Sequence, residues 1–105
     1  MSREEAEAAL ENLSKSDEEW AKARVKVKAT KYIMEATHAK LFLDQAGSIK
    51  DREAKVKILD EYKSKQEDHK NAEFEYLKID ANRAYWKLLW EDWRSLESSR
   101  RQGGL

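Results

Sequence analysis

The sequence predicts an all-α protein, an antiparallel hairpin of long helices that dimerises into a four-helix bundle. Three observations carry this. There is no proline, and the three glycines are Gly47, Gly103 and Gly104, so little in the chain stops a helix. Ala, Glu, Lys and Leu, which favour helix, are abundant. Apolar residues recur three or four apart, the period of one helix face. Length adds that the 105 residues form one domain.

From the N-terminus, Ser2 and Glu5 have the spacing of a capping box. They predict a short helix to about Leu13, with Ala6, Leu10 and Leu13 on one side. Ser14 to Ser16 interrupts it, so residues 1–15 make a short N-terminal helical arm, folded back on the body or extended from it. Ser16 with Glu19 is a second capping box, and Asp17 and Glu18 suit a first turn. A long helix is expected from Asp17 to Ala46, roughly 45 Å at 1.5 Å per residue.

Two sevenfold series run along that helix. Trp20, Val27, Met34 and Leu41 form one, and Val25, Tyr32, Ala39 and Ala46 form the other. A two-stranded coiled coil needs only one narrow seam. The wider apolar surface here points to packing against two or more neighbours, as in a bundle. The β-branched Val25, Val27, Thr30, Ile33 and Thr37 lower helix propensity, a cost that packing is expected to override.

Gly47 ends the helix, and Ser48 with Asp51 caps the next. No glycine or proline follows until Gly103. A break near residues 58–60, with Asp60 as an N-cap, would divide a connecting helix at Ile49 to Ile58 from a long one at Glu61 to Ser98. Residues 16–98 then form the hairpin. Within it, Trp20 approaches the stretch that holds Trp86, Trp90 and Trp93.

Asn71 to Leu96 has two apolar stripes. Phe74, Leu77, Ala81, Ala84 and Leu88 make one, and Tyr76, Ile79, Trp86, Trp90 and Trp93 make its neighbour. Such a face must be covered by a helix, a subunit or a ligand. Residues 99–105 form a basic tail that is expected to fray.

The chain carries 21 basic and 21 acidic residues, so no global charge pulls it toward nucleic acid or acidic lipid. The charge is unevenly placed, however. Met1 to Trp20 holds seven acidic and two basic residues, whereas Ala21 to Lys40 holds six basic residues and only Glu35 against them. Lys22, Arg24, Lys26, Lys28 and Lys31, with Arg100 and Arg101, are the candidate nucleic-acid patch. Against that stands an ordinary solvated, salt-bridged helix face. The acidic arm could also mask the patch.

Little in the sequence resembles a reaction centre. His38 and His69 lie far apart without metal-ligand spacing, there is no Gly-rich phosphate loop, and the Glu-x-x-His motif of di-iron bundles is missing. A non-enzyme without a cofactor or metal is expected. The absence of cysteine excludes disulfides and thiolate sites and fits an intracellular protein. No apolar run reaches the roughly 20 residues of a membrane span.

Trp93-Arg94-Ser95 followed by Arg100-Arg101-Gln102-Gly103-Gly104, and Ser48 with Asp51-Arg52-Glu53-Ala54-Lys55 leading to Tyr62, resemble small all-helical proteins of tailed bacteriophages. These proteins are often encoded among DNA recombination or replication genes. The resemblance covers roughly residues 17–104 and implies a phage protein acting near DNA in the host cytoplasm. It supplies no catalytic residue.

The leading functional expectation is therefore a helical oligomer acting as an accessory or adaptor protein in DNA recombination or replication. Direct DNA binding is the alternative, and a virion structural or assembly role is a further one. The expected partners are a second copy, with a tetramer as the alternative, and a DNA-metabolism protein of phage or host. Tyr32, Met34, Trp86, Leu89, Trp90 and Trp93 are the candidate oligomer interface.

Overall fold

A computed structural model describes residues 2–103. It contains three helices: α1, Arg3–Leu43; α2, Ile49–Lys57; and α3, Asp60–Gly103. There is no strand among the described residues. The chain divides into two compact units, Met1–Ala21 with Leu77–Leu105, and Lys22–Tyr76.

In the first unit, α1 does not break where the serines predict. It runs without interruption through Ser14 to Ser16. The Ser16 hydroxyl donates to the Leu13 carbonyl at 3.0 Å, a bond back into its own helix instead of a cap for a new one. Ser2 does cap, its Oγ accepting from the Glu5 backbone N–H at 3.1 Å. Residues 3–21 therefore lie in one helix, without the expected interruption.

The covered face of this segment is Ala6, Ala9, Leu13, Ser16 and Trp20, spaced alternately three and four. On α3 it is Ile79, Arg83, Trp86, Trp90, Trp93 and Glu97, with the same alternation. That spacing keeps one side of each helix in register with the other. Arg83 pins the register. Its Nη1 donates to the Leu13 carbonyl at 3.0 Å and to Ser16 Oγ at 2.7 Å, and pairs with Asp17 at 2.8 Å. Its guanidinium lies 4.6 Å from the Trp20 ring centroid. The Trp20 indole donates to Asp80 at 3.2 Å. As numbering rises along α1 it falls along α3, so the two segments are antiparallel.

Trp20 therefore meets Asp80 and Arg83 and not the other tryptophans. The reason is the unbroken α1, which extends the helix past Trp20 toward its N-terminus. Carried along from Ser16 and Arg83, the register sets Trp90 level with Ala9 and Trp93 level with Ala6. Ala6 is 0 % exposed, and small alanines leave room for large indoles. Trp90 and Trp93 stack with centroids 5.7 Å apart. The helix continues to Gly103, so residues 99–103 are helical; Gly104 and Leu105 of the expected tail lie outside the described residues.

In the second unit, α1 covers Ala23, Val27, Thr30, Met34, Thr37 and Leu41, and α3 covers Tyr62, Lys65, His69, Ala72 and Tyr76. Thr30 Oγ1 and His69 Nδ1 are 3.1 Å apart, and His69 Nε2 lies 2.6 Å from Glu73. Nearer the turn, His38 meets Tyr62 edge-on at 5.4 Å, and Lys40 pairs with Glu61 at 3.7 Å. These pairs again step in opposite directions along the two helices.

α1 ends three residues before the expected Ala46. Gly47 then takes φ +114°, a backbone conformation open to glycine. Ser48 caps α2, accepting from the Asp51 N–H at 3.2 Å, and Lys55 Nζ donates to the Ala46 carbonyl at 2.8 Å. α2 turns Val56 inward, fully buried, and sets the Arg52 guanidinium 5.7 Å from the Phe42 ring centroid. The break falls where expected, at residues 58–59. Leu59 precedes the helix and its carbonyl accepts from Lys63 at 3.0 Å, so Asp60 stands in the first turn instead of capping it.

Two stability outcomes follow. Gly47→Ala would force a side chain into a positive-φ position, with its Cβ 3.3 Å from the Asp51 Cβ; urea unfolding should show a loss of more than about 1 kcal/mol. Arg83→Met keeps the aliphatic bulk and removes every polar contact of the guanidinium. The same measurement should show a loss of about 2 kcal/mol.

Candidate interaction surface

Each long helix carries two apolar stripes, and the chain covers one of them. On α1, the series Trp20, Val27, Met34 and Leu41 is covered, whereas Val25, Ala29, Tyr32, Ala36, Ala39 and Leu43 are exposed. Tyr32 is 73 % exposed. On α3, Tyr76, Ile79, Trp86, Trp90 and Trp93 are partly covered, whereas Phe74, Leu77, Ala81, Ala84 and Leu88 are exposed. Leu77 is 59 % and Leu88 66 % exposed. Both exposed stripes keep the alternation of three and four.

This sorts the six residues expected at an oligomer interface. Tyr32 is free on the α1 surface. Met34, Trp86, Leu89, Trp90 and Trp93 are half-buried within their own chain, which leaves them less area to offer. Sequence reasoning named the exposed stripes as apolar, but did not separate them from the covered ones. The signal that could have done so is the content of the stripes. The covered one on α3 includes Arg83, His69 and Lys65, which the structure bonds or shields, whereas the exposed one is interrupted by nothing but alanine between Phe74 and Leu88.

The basic residues divide in the same way. Lys22, Arg24, Lys26, Lys28 and Lys31 are all exposed. By helical spacing, Arg24, Lys28 and Lys31 run along one side of the α1 apolar stripe, and Lys22 and Lys26 along the other. Lys28, Lys31, Tyr32 and Glu35 line a shallow groove of about 310 Å³. Arg100 and Arg101 belong to the other unit, where Arg100 donates to Glu97 at 3.1 Å. The expected patch is thus two short rows flanking apolar residues, with the terminal arginines in a separate unit.

The electrostatics elsewhere are those of a solvated surface. Glu11 is held below the usual carboxylate range by its hydrogen bond from Lys15, 2.8 Å away, and by that ammonium's charge. Arg3 pairs with Glu7 one turn on, at 3.0 Å. No group of three or more His, Cys, Asp or Glu residues is placed to hold a metal ion among the described residues. No described helix is long and apolar enough to cross a membrane. No protein-family model, curated protein or solved structure matches the chain.

The division into covered and exposed stripes is directly measurable. Met34→Ala should lower stability by about 1–2 kcal/mol, less than a fully buried truncation because the site is half-covered. Tyr32→Ala, two residues away, should change it by no more than about 0.5 kcal/mol in the monomeric chain. Equal losses in dilute chemical denaturation would overturn the assignment of the faces.

Proposed function

We propose that this chain is a non-enzymatic helical protein whose activity is to bind other helices, and that it works as an oligomer. The observation that supports this is the pair of exposed apolar stripes at regular helical spacing. Soluble monomers rarely expose large contiguous apolar patches, and such patches mark interaction sites. A dimer is the simplest closed assembly, four long helices in one bundle, with a tetramer as its doubling.

The biological setting rests on the resemblance of residues 48–62 and 93–104 to small helical phage proteins. On that basis the protein acts in the host cytoplasm as an accessory or adaptor in DNA recombination or replication. Its second partner is then a phage or host protein of DNA metabolism. Direct DNA binding is the second reading, supported by five exposed basic residues within ten positions of α1.

Sedimentation equilibrium and a salt-dependent DNA mobility shift test the two readings together. The oligomer reading expects a dimer or tetramer at roughly 50 μM, in the usual range for specific association. A monomer at that concentration would overturn it. The DNA reading expects binding that weakens steeply with salt and is abolished by replacing Lys22, Lys26 and Lys28 with glutamate. Binding that survives the triple change would remove α1 from the DNA interface. Pull-down from phage-infected cells then distinguishes an adaptor of recombination or replication proteins from a component of the virion.

A further inference from the structure

We infer that a second copy of this chain docks, antiparallel, on the exposed stripe Leu77, Ala81, Ala84 and Leu88 of α3. This rests on the oligomer reading and names its interface. All four residues lie in one unit and on one helix, facing away from the stripe that α1 covers.

Two copies of α3 can be laid together about a two-fold axis passing between residues 82 and 83. Leu77 of one copy then lies opposite Leu88 of the second, and Ala81 opposite Ala84, each contact occurring twice. The alanines at the centre allow the backbones a close approach, and the leucines close both ends. In an antiparallel pair, the residues beside the stripe meet their counterparts on the same flank. On one flank Asp80 meets Lys87 of the second copy. On the other, Lys78 meets Tyr85, where its stem can lie along the ring. No like charges oppose one another.

Charge also selects this register. Sliding the pair by one heptad in one direction sets Asp80 against Asp80 and Lys78 against Lys78. Sliding it in the other sets Lys87 against Lys87. A parallel pair also brings unlike charges together, but it aligns the two helix dipoles, whereas the antiparallel pair opposes them. The exposed stripe of α1 fits a second copy less well. The register that superposes all its apolar residues sets Lys26 against Lys40 and Glu35 against Glu35. Shifting by a heptad in one direction removes those contacts but places Lys22 and Glu18 against Ala39 and Leu43, and shifting in the other carries the partners of Val25 and Ala29 past the end of α1.

The experiment combines sedimentation with cross-linking in the full chain. Ala81→Glu with Ala84→Glu puts four charges into the centre of the proposed interface while keeping good helix formers at exposed positions. Circular dichroism should be unchanged, and dimerisation should weaken about tenfold or more. The chain has no cysteine, so single-cysteine variants report geometry without background. Leu77→Cys and Leu88→Cys should each give no disulfide-linked dimer alone, and a linked heterodimer when mixed under oxidising conditions. If the wild type is a dimer and the Ala81/Ala84 variant dimerises equally well, this interface is wrong while the oligomer reading stands. If either single cysteine links to itself as fast as in the mixture, the antiparallel arrangement is wrong. A monomeric wild type overturns both the interface and the oligomer reading.

Discussion

Every other feature of this protein depends on how little of each helix its partner can cover. Two helices in contact bury one stripe apiece, with residues alternating three and four apart. Among the described residues only the short α2 is added to the two long helices, and it leaves the second stripes exposed. Whatever apolar surface lies beyond the seam is therefore left in water, and α1 and α3 both carry such surface. Val25, Tyr32 and Leu43 on one, and Leu77 and Leu88 on the other, are consequences of that geometry.

The seam is not uniformly apolar, and its polar members do the specifying. A stripe of alanines and tryptophans alone could slide by a turn at small cost. Arg83 prevents this by binding the Leu13 carbonyl, Ser16 and Asp17 at once, with Trp20 under its guanidinium. Moving it by one turn would strand a half-buried charge, which is far more costly than shifting an apolar contact. In the other unit, Thr30 meets His69 across the seam, and Glu73 one turn along α3 lies against the other ring nitrogen of His69. Burial drives the helices together, and these polar contacts decide which residues face which.

Much of the organisation was legible along the chain. The helical class, the turn at Gly47, the Ser48 cap, the connecting helix and the break before Asp60 all follow from local chemistry. Local chemistry also explains the misreading at Ser14 to Ser16. A serine with glutamate three residues on is a valid start signal, but a serine can equally bond back to the carbonyl of its own helix. Ser16 takes the second option because its buried position also lets it accept from Arg83. The choice is made by a residue 67 positions away, which no local window contains.

By itself, the sequence determined that this chain is helical, where its connecting helix lies, and that both long helices carry two apolar stripes. Periodicity and capping act within a turn or two, so those properties are written locally. Only the tertiary structure decided which stripe is covered. Periodicity treats Val25 and Val27, or Leu77 and Ile79, as equally apolar. The covered stripe is the one whose Arg83 and His69 find partners across the seam, and those partners become neighbours only when the helices meet.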